Sequence, residues 1–463
     1  MEWFQDPVFL SRVQYGMTSA FHYIYPPLSI GLGLAICFME AIYLKTKKLV
    51  WQQITRWWIK VFALTFALGV ATGIVQLFGF GTNWAQYSRF VGDVFGSALG
   101  AEGIFAFFLE SGFLGLLLFG WNRLKPGMHF FSAIMVCLGA HFSAVWIVVA
   151  NAWMQTPTGY IVEGTGDAAR ARVTDFWAMV LNPSSIERLV HVILGCWISG
   201  ALLVTSIAAY YLLKQKHREF ALGSMKIGLV LGSVALLLQL VSGHSAAEVV
   251  AKHQPTKLAA MEGIYRTGSH QPISLFGWVD EKNQTVLGPQ IPGLLSYLAT
   301  GSFDGVVQGL NDFPPQDRPP VQVVYQSYHL MVQLWGVMTL LALAGLWLWY
   351  RGCLCKPTGW RRWWLRLMVA AVVFPQLANF TGWMTAEVGR QPWVVYGVLR
   401  TTDGVTKGLS GPQVLSSLIT LALIYCLLFV CFIYLIHMKV LHGPEDEHPD
   451  QGAVYRDPFA SGV

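Results

Sequence analysis

Apolar runs of about 20 residues recur along the chain, separated by short polar stretches. A helix that long crosses the ~30 Å hydrocarbon core of a bilayer. Nine such runs are predicted, at roughly 16–44, 55–80, 95–121, 128–153, 187–213, 220–243, 322–350, 364–387 and 412–438. The expected fold is an all-α integral membrane protein of about nine transmembrane helices. Its largest polar insert, 244–321, falls between the sixth and seventh runs. Helices 1–6 then occupy 1–243, helices 7–9 occupy 322–440, and a polar tail covers 441–463, with Glu445, Asp446, Glu447 and Asp450. No internal repeat is visible.

Charge orients this bundle. Lys45, Lys47, Lys48 and Arg56 lie in the first loop, and Arg123 and Lys125 in the third. Lys214, Lys216 and Arg218 lie in the fifth, and Arg351, Lys356, Arg361 and Arg362 in the seventh. These are alternate loops, so the positive-inside rule puts them in the cytoplasm. The N-terminus and the long insert are then outside, and the C-terminus is cytoplasmic. In the outer loop near Arg170 and Arg172, Glu163, Asp167 and Asp175 dilute the signal. The net charge of +6 therefore reports topology and does not point to nucleic acid. Met1–Pro7 lacks the basic start of a cleavable signal peptide.

Composition agrees: 54% of the 463 residues are hydrophobic and 12% are charged, about half the usual charged fraction. Mean hydropathy is +0.48. Cys37, Cys137, Cys196, Cys426 and Cys431 lie in apolar runs, and Cys353 and Cys355 in a basic loop. No metal-type cysteine spacing or covalent haem motif occurs, so any haem is held non-covalently.

Four unusual residues on four helices fall near the outer ends of their spans. His22 and His191 each lie early in a span entering from outside, as does Met331, and Glu387 ends a span leaving toward the outside. A lone histidine in an apolar helix is ordinarily a hydrogen-bonded core residue, and a methionine is ordinarily filler. Independent core placements would scatter in depth, however, and these share one. His with Met makes six-coordinate haem iron; a lone His or carboxylate leaves a position open to a gas. Glu387 belongs to Trp383-Met384-Thr385-Ala386-Glu387-Val388-Gly389-Arg390-Gln391-Pro392-Trp393, after a helical run from Leu367 to Phe380. Gly389 and Pro392 stop the helix. Arg390, three residues on, can face Glu387 across the last turn. The bland alternative is an interfacial helix end with a solvated ion pair.

The third span carries Glu102 and Glu110, about 12 Å apart along a regular helix. Among aromatics they are candidates to carry protons, the alternative being structural carboxyls bonded to neighbouring helices. Ser143 and Asn151 on the fourth span could extend a polar path.

Together these residues resemble subunit I of the cytochrome bd-type quinol oxidases, over nearly the whole chain. The marks are Glu387-Val388-Gly389-Arg390-Gln391-Pro392-Trp393, Gly81-Thr82-Asn83-Trp84, Glu102-Gly103 with Phe108-Leu109-Glu110-Ser111, and Lys257-Leu258-Ala259-Ala260-Met261-Glu262. The resemblance implies three haems near the outer face of a bacterial cytoplasmic membrane. His191 and Met331 would hold a low-spin haem b. His22 and Glu387 would hold two high-spin haems, a haem b and a haem d (or a further haem b), with Trp383 beside the cofactors. Arg390, Glu102 and Glu110 would serve catalysis, the two acids on the proton route. Lys257 and Glu262 would bind quinol. Quinol would be oxidised outside and O2 reduced to water with cytoplasmic protons, separating charge without a pump. A second membrane subunit would complete a heterodimer, with room for a small single-span subunit. The chain departs from many members in having His329 two residues before Met331, where an Arg is frequent; this would remove a fixed positive charge. The quinol loop is short. Both features lean toward the cyanide-insensitive subgroup. The rivals are an ion-coupled transporter, whose repeats are absent here, and a haem subunit that does not reduce O2.

Overall fold

The structure is a computed structural model and describes residues 4–354 and 358–444. Cys355, Lys356 and the acidic tail lie outside the described residues. Within them, eight helices are long and apolar enough to cross a membrane, or nine if one bent pair is a single span. This is an all-α, multi-pass membrane protein.

The first span is two helices, α1 (Pro7–His22) and α2 (Tyr25–Thr46). Asp6 caps α1 by accepting the Val8 amide at 2.9 Å. Pro26 and Pro27 lack the amides that α1 would need to continue, so the chain restarts at Tyr25. Lys47, at φ 54°, ends α2. Next come α3 (Leu49–Thr82), α4 (Gly92–Ala101), a π-helical segment (Glu102–Phe107), α5 (Phe108–Phe119) and α6 (Pro126–Gln155). The wide π turns alter the regular-helix spacing expected between Glu102 and Glu110.

The hairpin of α7 (Ser185–Lys214) and α8 (Arg218–His253) fills the centre. Most of α7's apolar window is buried, 83% against 11% for the last span. It also meets α2 backbone to backbone: a Cβ on Gly31 or Gly200 would strike the other helix's backbone. Small residues thus let two backbones touch where no water-driven force pulls helices together.

Helix α8 runs to His253, so the insert begins ten residues later than the polarity of 244–253 suggested. The loop folds as α9 (Pro255–Glu262) and two small hairpins, Ile273–Ser274 with Gln290–Ile291 and Trp278–Asp280 with Thr285–Leu287. Then follow α10 (Val321–Tyr350), α11 (Trp360–Ala370), α12 (Val373–Val388) and α13 (Gly411–His442). α11 and α12 meet at a 46° bend, inside the stretch expected to be one helix body. Pro375 cannot donate back across that turn, which accounts for the break.

Candidate functional site

Glu387 ends α12, where the Gly389 amide closes the last turn on Thr385 O at 3.1 Å. Its carboxylate is enclosed from three helices. Arg390 pairs with Oε2, as the three-residue spacing predicts. Asn151 Nδ2 donates to Oε1 at 3.0 Å, and Gln155 Nε2 at 3.3 Å. Arg188, one turn before His191 on α7, donates to Asn151 Oδ1. The solvated helix end is thereby excluded: Arg390 is 3% exposed.

The same network reaches the loop. Lys257 Nζ donates to Gln155 Oε1 at 2.5 Å and to Gln254 Oε1 at 2.6 Å. Gln254 Nε2 donates to Gln155 O at 3.2 Å. Gly389 makes room for the lysine stem, since a Cβ there would lie 2.9 Å from Lys257 Cγ. Lys257 and Glu262 are 2% and 1% exposed, though loop polarity alone suggests solvation. Burial, then Arg188 and Arg390, hold the Lys257 amine well below its ordinary pKa, against the pull of Glu387. Burial pushes Glu262 up to about 8, partly offset by the Ser274 amide and the Tyr328 hydroxyl. Its Oε2 has no protein partner.

His22 Nδ1 lies 2.9 Å from Thr72 Oγ1, whose own proton goes to Leu68 O at 2.7 Å. Thr72 must therefore accept from Nδ1–H, leaving the Nε2 lone pair free, as a metal-binding imidazole requires. His191 faces Gln239 Nε2 at 3.0–3.1 Å, with Ser242 at 3.4 Å. Trp383 is half-buried, with its ring 6.4 Å from that of Phe380. Met331 lies against Gly382, where a Cβ would come within 2.7 Å of Sδ. Gly73 and Gly243 similarly face His22 and His191. No hydrogen bond joins His191 to Met331, His22 to Glu387, or Lys257 to Glu262 among the described residues.

These residues fit haem. Imidazole, thioether and carboxylate are haem ligands, and a glycine facing three of them leaves space for a flat ring. Buried Arg390 pairs with this carboxylate and half-buried Arg188 reaches its partner Asn151, and Arg188 Nε and Arg390 Nη1 have no hydrogen-bond partner among the described residues. That excess of positive charge suits an anionic group such as a propionate.

Glu102 accepts from Ser143 Oγ of α6 at 2.7 Å, whereas Asn151 donates to Glu387. Glu110 is buried against Gly139 of α6. His329 is buried, with Nδ1 and Nε2 each 2.9 Å from a carbonyl, of Tyr325 and Ser274. It ties α10 to the loop, and a neutral ring satisfies only one of these bonds.

Residues 10–444 match the model of the family "Cytochrome bd terminal oxidase subunit I". The chain belongs to that family. It is 37% identical to cytochrome bd ubiquinol oxidase subunit 1 of Bacillus subtilis, with 98% of each chain covered. It is 33% identical to cytochrome bd-II ubiquinol oxidase subunit 1 of Escherichia coli, covering 96% of this chain and 99% of the other. The bd oxidase structure from Geobacillus thermodenitrificans superposes with a TM-score of 0.87 at 29% identity, covering 96% of this chain and 100% of that one. Membership in a cytochrome family implies haem cofactors. Sequence reasoning missed Gln155, Arg188, Gln239 and Gln254. An i,i+4 pair of amides, Asn151 and Gln155, at the end of an apolar helix was the available signal for the first.

Proposed function

We propose that this chain is the haem-bearing subunit of a quinol:O2 oxidoreductase. It oxidises quinol at the outer face of a bacterial cytoplasmic membrane and takes protons for water formation from the cytoplasm. The main support is the buried chain Lys257–Gln155–Glu387, which joins the loop to the end of α12. A transporter reading gives this loop connection no role.

His191 and Met331 would hold a low-spin haem b; His22 and Glu387 would hold the two high-spin haems, b and d or both b. When bound, these groups supply the electron transfer and oxygen chemistry. The chain does the rest. Lys257, its amine held below its ordinary pKa by burial, and Glu262, with a free buried oxygen, would bind and orient the two quinol oxygens. Glu262 would accept a quinol proton and release it outside. Arg390 holds Glu387 as a carboxylate. Glu102 and Glu110 would move protons up the α5–α6 seam. The relatives' names as subunit 1 support at least one further subunit, proposed to be a second membrane subunit in a heterodimer.

Met331→Leu preserves apolar volume and removes the thioether. The expected result in the purified oxidase is a low-spin haem turned high-spin or lost, with quinol oxidation strongly reduced. An unchanged low-spin spectrum would refute the ligand assignment.

A further inference from the structure

At the far end of α6 lies a second buried charge pair, which the site above does not use. Glu40 of α2 and His129 of α6 are 1% and 2% exposed, with Nδ1 2.6 Å from Oε1. His129 Nε2 lies 3.0 Å from Leu117 O near the end of α5. A carbonyl only accepts, so Nε2 carries a hydrogen. The proton between Nδ1 and Oε1 can then sit on either atom: the pair is carboxylate with imidazolium, or acid with neutral imidazole. Both arrangements are net neutral, which burial favours, and they differ by a short shift of one proton. Glu40 Oε2 is buried with no hydrogen-bond partner. A purely structural pair would be expected to satisfy it.

The placement points to traffic. His129 is one turn inside α6, Glu40 six residues from the end of α2, and Leu117 two from the end of α5. All three are within about 10 Å of the basic loops. From Leu117, α5 leads back seven residues to Glu110, about 10 Å on. Facing the pair are Cys37 on α2 and the ring of Trp121, edge-on to His129 at 4.5 Å. Trp121 carries Arg56 of α3 on its ring at 5.7 Å and has Tyr43 at 5.9 Å. His141 lies higher on α6, and its ring is held on both sides as that of His129 is. Trp197 donates to its Nε2 at 2.9 Å, so its Nδ1–H goes to Cys137 O at 2.7 Å, and both nitrogens are committed.

We infer that Glu40 and His129 form the proton-loading site at the cytoplasmic entrance of the route to Glu110 and Glu102. One proton arrives at Glu40 Oε2 with the shared proton held on His129 Nδ1, and the Oε2 proton then leaves toward Glu110, so the pair returns to carboxylate and imidazolium with Nε2–H still on Leu117 O. Mobile water carries the proton over gaps longer than one hydrogen bond. The inference rests on the oxidase reading.

The test uses the complete oxidase in vesicles, with a pH indicator on the side of the basic loops. Glu40→Gln retains shape but cannot ionise; Glu40→Asp can. For Glu40→Gln the expected result is normal haem spectra, Tm and quinol KM. Its kcat and proton uptake should fall about tenfold or more, with partial recovery in Glu40→Asp. Wild-type kcat and uptake in a folded Glu40→Gln would overturn the inference. Should that variant not assemble, an apolar carbodiimide on the unmodified enzyme should label Glu40, read by peptide mass spectrometry, and slow turnover in proportion. No labelling, or labelling without slowing, would also overturn it. Glu110→Gln run in parallel separates the two readings. If it alone slows, the entrance is wrong and the oxidase reading stands. If the unmodified complex takes up no O2 with quinol, the oxidase reading itself fails.

Discussion

Helix α6 ends in two buried carboxylate pairs of opposite character. Near its C-terminal end Asn151 holds Glu387, which pairs with Arg390; near its N-terminal end His129 holds Glu40. The 22 residues from 129 to 151 separate the two by about 33 Å. The partner's chemistry makes the difference. Arginine does not give up its proton, so Glu387 faces a permanent cation. Histidine exchanges its proton, so it leaves Glu40 free to change state. The pair at the C-terminal end is braced by Asn151 and Gln155, whereas the pair at the N-terminal end leaves one oxygen unbonded. On the functions proposed above, the same motif, a buried acid beside a base, would serve anchoring at one end and transfer at the other.

The strongest attack on this contrast is Glu387→Gln. If Glu387 is an anchor for iron, O2 uptake should fall at least about a hundredfold, with one high-spin haem perturbed. The His191/Met331 haem should remain reducible by quinol. Full haem content with near-normal oxygen uptake would reduce Glu387 to a partner of Arg390 and erase the contrast.

Arg390→Lys is the next largest. It keeps a cation but loses the planar fork that meets Glu387 and, through Nε, the Trp393 carbonyl at 3.3 Å. A stability loss of about 1–3 kcal/mol is expected from the unmatched buried groups. Thermal melting of the purified complex checks it, and an unchanged Tm would mean that charge alone suffices.

The smallest effect concerns Glu262, a buried acid with no ion pair among the described residues. Its carboxyl is pushed up to about 8, so the proton-accepting carboxylate gains population as pH rises through 8. Quinol kcat/KM should therefore rise with pH up to about 8 and then level. Glu262→Gln should flatten that limb and lower the plateau about tenfold, with all haem bands retained. A retained limb would assign the titration to another group.

The sequence by itself determined the class and the span count, and it picked out the residues proposed to carry the chemistry. Long apolar runs leave a backbone in lipid no option but helix, so Glu102, Glu110, Glu387 and the histidines stand out as exceptions. The signal that marks them also covers Glu40 and His129, ionisable residues in apolar spans, although no motif surrounds those two. Tertiary structure alone decided the partners. Nothing local says that Lys257, in a polar loop, is buried against Gln155, or that Arg188 reaches Asn151. Nor does periodicity show that Glu40 meets His129, 89 positions later. Hydropathy records the average environment of a segment. A hydrogen bond depends on which face of one helix meets which face of another, and helix packing, set here by contacts such as Gly31 on Gly200, decides that.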